Sequence, residues 1–248
     1  MKYLKTYRVF EAFSTPPLTE EQISWLDDCT TGSWKLNQST GLIDVDVDFD
    51  CCSQGLKELK GVKFGKVSGN FFCDRNQLTT LVGAPKTVGG GFFCSENQLT
   101  TLVGAPQTVK EDFNCYGNQL TTLEGAPKTV GGGFYCDRNQ LTSLAGAPQT
   151  VNRDFSCSNN QLTSLVGAPK TVGGGFFCRE NPVSEETLES IFRLMKRGKS
   201  YQQALEEYWP KMGDEDRTLM YKDHSSLTPE ETRKYKALAT YGNIKGYL

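Results

Sequence analysis

Nine cysteines are the residues of this 248-residue chain best equipped for chemistry, as nucleophiles, redox partners or zinc ligands. Six of them, Cys73, Cys94, Cys115, Cys136, Cys157 and Cys178, recur at a constant interval of twenty-one positions, and Cys51 precedes Cys73 by one position more. Zinc sites draw on close pairs such as C-x-x-C, which this regular spacing does not supply. The odd count does not suit a complete disulfide framework. A free cysteine packs like a small hydrophobe, so the thiols are expected in a core, and a reducing cytoplasm is the expected compartment. The remaining chemistry is sparse. His224, the single histidine, lies in the polar stretch MYKDHSS. The Gly-Gly-Gly runs precede strand-like residues rather than a helix, unlike a phosphate-binding loop. No catalytic residue, metal or cofactor is expected.

The acidic run in LIDVDVDFDC, residues 42–51, is the other candidate. Ile43, Val45, Val47 and Phe49 alternate with Asp44, Asp46, Asp48 and Asp50, which predicts one full strand. A calcium loop wraps its oxygens around one point, whereas alternation strings these carboxylates in a line. They are expected to make a solvated, aggregation-resistant end.

Around each repeating cysteine the neighbouring residues return as well, and a fixed period of this length predicts a solenoid. In the unit from Gly91 to Val109, Phe92 and Cys94 alternate with Phe93 and Ser95, as in a short strand. Leu99 and Leu102 follow, then a Gly104-Ala105-Pro106 corner in which no helix fits. The return leg is expected to be extended and irregular, ending at Val109. Each turn buries about six apolar groups at roughly 1.5–3 kcal/mol per large side chain. That gain does not clearly exceed the roughly 1–2 kcal/mol per residue lost in ordering the backbone, so stability must come from stacking neighbours. Asn76, Asn97, Asn118, Asn139, Asn160 and Asn181 each stand three positions after a cysteine. Their amides are expected to form a ladder that satisfies backbone groups orphaned at the turn.

The frame F-x-C-x-x-N-x-L-x-x-L resembles the leucine-rich repeat core L-x-L-x-x-N-x-L, with Phe and Cys in place of the first two leucines. NQLTSL, at Asn139–Leu144 and Asn160–Leu165, is similar to short bacterial leucine-rich repeats. The resemblance is strong over residues 71–181 and implies a curved parallel-β solenoid used for protein recognition. Some bacterial members carry a cysteine-nucleophile ligase domain after the repeats. This chain has no cysteine after Cys178, so that activity is not expected.

Units alternate between K-T-V-G-G-G-F-aromatic-C and Q-T-V-x-x-D-F-small-C, so the full pattern recurs on every second unit. Residues two apart in a strand share a face. Phe93, Tyr135 and Phe177 therefore stand beside Gly91, Gly133 and Gly175, where a ring can lean over the vacant position. Asp112/Asn114 and Asp154/Ser156 lie between them. This outward face, expected to be concave, carries Phe72, Phe93, Tyr116, Tyr135 and Phe177, with Arg75, Arg138 and Arg179 near the strand ends. Aromatic and arginine side chains dominate protein hot spots, whereas rings over glycine also shield a sheet. Both roles are compatible with the pattern.

The expected organisation is an N-terminal helical cap (1–41), a β-solenoid of about seven turns with short parallel strands and irregular return legs (42–182), and a C-terminal helical cap (183–248). Thr19-Glu20-Glu21-Gln22 reads as a capping box opening a helix that packs Ile23, Trp25 and Leu26 on the first coil. Capping patterns at Ser184, Ser200 and Thr228 predict helices after the repeats, where Arg193, Lys196, Arg197 and Lys199 read as a solvated face. The start, MKYLKTYRVFEAF, is interrupted by Lys5, Arg8 and Glu11 and lacks the apolar core of a secretion signal. It also resembles the short prohead-targeting leaders of tailed-phage proteins, with Val9-Phe10-Glu11 similar to their cleavage site. A net charge of −2 makes no case for nucleic acid or an anionic membrane, and no apolar run spans a bilayer. The expected function is a non-catalytic, cytoplasmic interaction scaffold for a protein partner. The alternative is a structural or prohead-packaged phage component.

Overall fold

A computed structural model describes residues 17–183 of the chain, residue 164 excepted. The expected helices after residue 183, the leader-like start and His224 lie outside the described residues. Within them the chain winds into a solenoid with two sheets, one along each side of a shared core, whose strands pair in parallel from coil to coil. The first sheet contains Trp34–Asn37, Leu42–Val45 and Phe64–Val67, then the Thr-Val pairs from Thr87–Val88 to Thr171–Val172. The second contains Phe49–Asp50, Phe71–Phe72, Phe92–Phe93, Phe113–Asn114, Phe134–Tyr135, Phe155–Ser156 and Phe176–Phe177. We call them the valine sheet and the phenylalanine sheet. The seven rungs of the latter are joined by six return legs, so there are six complete turns rather than about seven.

The return legs are less irregular than the sequence predicts. Each ends in a Thr-Val pair that stacks in parallel on its neighbours, with Val109 opposite Val88 and Val130 opposite Val109. The unbroken period brings every valine to the same height in its coil, so its backbone groups pair with those of the next turn.

The core consists of columns. Seven phenylalanines from Phe49 to Phe176 stack with centroids 5.1–5.6 Å apart and planes within 20°. The repeat cysteines form the next column, fully buried from Cys51 to Cys157, and all nine cysteines are free thiols. Leucine and valine columns, such as Leu99, Leu120 and Leu141 or Val109, Val130 and Val151, complete the interior with no exposure.

The asparagine ladder joins one coil to the next. Asn97 Nδ2 donates to Cys73 O of the preceding coil at 2.9 Å and to Cys94 O of its own at 3.2 Å, while its Oδ1 accepts from Leu78 N at 2.9 Å. Asn118, Asn139, Asn160 and Asn181 repeat this set, and Asn76 caps both Gln54 N and Leu56 N. At the opposite corner Gly104 has φ of 98°, and a Cβ there would meet the Leu81 carbonyl at 2.7 Å. Both the left-handed backbone and the close approach require glycine.

Three expectations at the N-terminal end need correction. Residues 42–51 are not one strand: Leu42–Val45 belongs to the valine sheet and Phe49–Asp50 to the phenylalanine sheet. The chain turns between them at the place where later coils carry Gly-Gly-Gly, so its alternation spans a corner. The cap is not purely helical, because Trp34–Asn37 pairs antiparallel with Leu42–Val45 and lengthens the valine sheet. Helix α1 (Glu20–Asp28), the one helix among the described residues, has the expected Thr19/Gln22 capping box. It buries Trp25 and Leu26 but leaves Ile23 39% exposed, because Ile23 lies more than a quarter-turn around the helix from their midpoint. Trp25 meets Phe49 edge-on at 5.3 Å and seals the first rung.

The columns can be tested at the asparagines and at the thiols. Asn118→Ala strands Leu99 N in the core. It also removes one of the two amide donors from each of the Cys94 and Cys115 carbonyls, which keep Asn97 and Asn139. The substitution should cost about 1–3 kcal/mol in chemical denaturation, the scale of one unsatisfied buried group. An unchanged unfolding midpoint would remove the ladder from the account. Burial also pushes the thiols of Cys73, Cys94, Cys136 and Cys157 well above the ordinary value of 9.0. The unfolded chain releases these protons near pH 9 while the folded chain retains them. Their contribution is therefore intact below that pH and is lost as pH rises, at up to about 1.4 kcal/mol per pH unit for each thiol. Melting temperature should fall steeply above pH 9, and Cys136→Ala should flatten that fall; a flat profile to pH 10.5 would contradict burial of the column.

Candidate functional site

Three residues per coil face outward along the phenylalanine sheet and its extension. The first row alternates Asn70, Gly91, Asp112, Gly133, Asp154 and Gly175. Its polar members cap the glycines of the next coil: Asn70, Asp112 and Asp154 each accept through Oδ1 from Gly91, Gly133 and Gly175 N at 2.7 Å. The second row is Phe72, Phe93, Asn114, Tyr135, Ser156 and Phe177. The third is Asp74, Ser95, Tyr116, Asp137, Ser158 and Arg179.

The rings lean over the glycines as the spacing predicts. A Cβ at Gly91 would lie 2.5 Å from the Phe93 ring, one at Gly133 2.5 Å from Tyr135 Oη, and one at Gly175 2.5 Å from Phe177 Cζ. Phe72 and Phe93, on adjacent coils, stack at 4.9 Å. Beyond Phe93 the rings occur on every second coil. Burial, with the nearby carboxylates of Asp112 and Asp154, pushes the Tyr135 phenol above its ordinary range. Both acids thus act on the ring between them.

The two gaps between alternate rings are filled differently. Between Phe93 and Tyr135 stand Asn114 and Tyr116, and the Arg138 guanidinium covers the Tyr116 ring at 5.5 Å. Between Tyr135 and Phe177 the corresponding residues are Ser156 and Ser158. A cleft of about 480 Å³ opens there, lined also by Asn159, Arg179 and Glu180. The Ser156 hydroxyl and Ser158 N both donate to Asp137 Oδ1, which fixes the floor. Arg179 Nε is buried without an acceptor.

Of the sequence-selected residues, the structure gathers Phe72, Phe93, Tyr135 and Phe177 into one row, with Tyr116 and Arg179 in the next. Arg75 and Arg138 occupy the turn beyond, where φ is 54° and 51°. Arg75 is paired with Glu96 at 3.2 Å. Sequence reading missed the cleft and the part Asp112 and Asp154 play beside the rings, although their place in the two-coil pattern carried the signal. The N-terminal aspartates do not form a line of ligands. Asp44 caps Lys66 N, Asp48 caps Asn70 N, Asp50 caps Cys52 N, and Ser33 holds the Asp46 carboxyl below its usual range. Each serves a different backbone amide.

The geometry is that of a β-solenoid whose coils repeat every twenty-one residues and stack in parallel. No protein-family profile matches the chain, and no curated protein matches it. Among solved structures it is similar to YopM, a leucine-rich effector protein from Yersinia pestis, at 16% identity and a TM-score of 0.31. The match covers 65% of this chain, which spans 54% of that one.

The contact between ring and glycine is separable from the rest of the fold. Gly133→Ala should force the Tyr135 ring off its position and cost about 1 kcal/mol, the scale of an off-rotamer side chain. In a Tyr135→Ala background the same substitution should be close to neutral. Equal costs in both backgrounds, measured by urea denaturation, would show that the ring does not depend on the glycine.

Proposed function

We propose that this chain is a non-catalytic scaffold that presents the aromatic side of its phenylalanine sheet to a protein partner. The observation that carries this reading is the fixed display of Phe93, Tyr135 and Phe177 over glycines, with an open cleft between the last two. Rings already held in place lose little freedom on binding, so their contact area becomes affinity. Serine hydroxyls on this face serve the fold, with Ser95 and Ser156 donating to Asp74 and Asp137. The repeat thiols are sequestered in the core. Such a column of reduced cysteines fits the cytoplasm proposed for the protein.

A protein partner is preferred to nucleic acid because this face carries more carboxylates than arginines. No helix among the described residues is long and apolar enough to cross a membrane. A second reading, a structural or prohead-packaged phage component, is favoured by the Val9-Phe10-Glu11 motif alone. Intact-mass measurement of native protein should then show cleavage after Glu11.

Affinity capture with wild type and with the Phe93→Ala, Tyr135→Ala, Phe177→Ala variant tests the scaffold. The variant should keep its circular dichroism spectrum and lose the partner. A folded variant that retains every partner overturns the assignment of this face.

A further inference from the structure

We propose that the cleft beside Tyr135 is a binding site for a tyrosine side chain of the protein partner, seated over Ser156 and Ser158 between the Tyr135 and Phe177 rings. The proposal rests on reading this face as a protein-binding surface and names the group that the surface selects.

The chain supplies its own template two coils earlier. Between Phe93 and Tyr135 the third outward row holds Tyr116, and Arg138 on the following coil covers that ring at 5.5 Å. Between Tyr135 and Phe177 the same position is Ser158, the ring is missing, and the cleft of about 480 Å³ opens in its place. Asn114 of the first gap is likewise reduced to Ser156 in the second. A place that the chain fills from within at one step is left to be filled from outside at the next.

The spacing of the rings fits the same guest. Phe72 and Phe93, on adjacent rungs, stack at 4.9 Å. Tyr135 and Phe177 belong to alternate rungs with Ser156 between them, so one position in the row lacks its ring. A ring placed there would lie about 5 Å from each neighbour, inside the roughly 4.5–7 Å range of aromatic pairs. Room is sufficient, because an apolar cavity of about 150 Å³ already holds benzene.

The polar lining suits a neutral ring. Asp137 Oδ1 accepts from the Ser156 hydroxyl and from Ser158 N, and Asp154 Oδ1 accepts from Gly175 N, so both carboxylates serve the fold. Arg153 and Arg179 stand against Asp137, Asp154 and Glu180 about Tyr135 and the cleft, which leaves little net charge to draw an ion. Among the described residues Arg179 makes no ion pair, and its Nε has no acceptor. It stands one coil beyond Ser158, as Arg138 stands one coil beyond Tyr116. The negative face of an entering ring would meet it within the roughly 6 Å reach of a cation–π contact. Glu180, also on the lining, offers the phenol O–H an acceptor.

The test is a heteronuclear NMR titration of the full chain with N-acetyltyrosine methylamide. N-acetylleucine methylamide and methyl β-glucoside are the controls for a non-aromatic side chain and for a sugar ring. The tyrosine probe should shift the amides of Ser156, Ser158 and Asn159 saturably and bind at least tenfold more tightly than either control. Ser158→Tyr, which copies Tyr116, should close the cleft and abolish those shifts while the circular dichroism spectrum is kept. Arg179→Gln, with the cleft left open, should weaken the probe at least threefold. Equal binding of the leucine probe, tighter binding of the glucoside, or undiminished binding by either folded variant overturns the site. If Ser158→Tyr does not fold, Arg179→Gln and the two controls decide. A captured partner lost by the triple alanine variant but kept by folded Ser158→Tyr also overturns the site, while leaving the interaction face in place.

Discussion

Each ladder asparagine connects two coils through one side-chain amide, and the repeat is built around that requirement. Asn97 must reach the Cys94 carbonyl of its own coil, the Cys73 carbonyl of the preceding one and the amide of Leu78. All three groups lie in the core, where an unpaired polar atom is expensive. An insertion between ladder positions would break one of these bonds unless the backbone absorbed it elsewhere. The one departure shows how: the step from Cys51 to Cys73 contains an extra residue, and the register shifts between Ile43 and Val45 where Leu42–Val45 pairs with Phe64–Val67. The rest of that coil remains in register.

At the first rung the ladder ends on a different residue. Gln54 occupies the place of the asparagine, and its side chain turns toward helix α1. There it accepts from Trp25 Nε1 at 2.8 Å and donates to Cys29 Sγ at 3.2 Å. Gln22 Nε2 donates to Lys60 O, and Lys60 reaches both Glu21 and the Trp25 ring. The helix thus covers an apolar rung and supplies partners to the groups that a missing coil would have satisfied.

Alternation of two repeat types gives the solenoid unlike sides. On the phenylalanine sheet it sets rings over glycines with aspartates between. On the valine sheet it produces an exposed column in which Lys86, Lys128 and Lys170 alternate with Gln107 and Gln149 beside a row of threonines. Cations and carboxylates therefore concentrate on opposite sheets. Small differences then distinguish equivalent places. Tyr116 fills one gap between rings, whereas Ser158, two coils later, leaves the next open.

The columns of the core were legible in the sequence, because side chains repeated at one interval must meet their own kind once the chain coils. Asn118 contacting Cys94 and Cys115, Phe92 stacking on Phe113, and Phe93 leaning over Gly91 all follow from spacing and residue type. Where the chain bends was not legible. The run from Ile43 to Asp50 alternates across a corner as smoothly as along a strand, so only the folded chain assigns its halves to separate sheets. Nor could a local pattern show that Thr108–Val109 forms a strand, since so short a segment acquires its hydrogen bonds from the coils before and after it. The sequence by itself determined what stacks, through period and side-chain chemistry. Tertiary structure decided which surface stays open, because the cleft beside Tyr135 depends on volumes contributed by three successive coils.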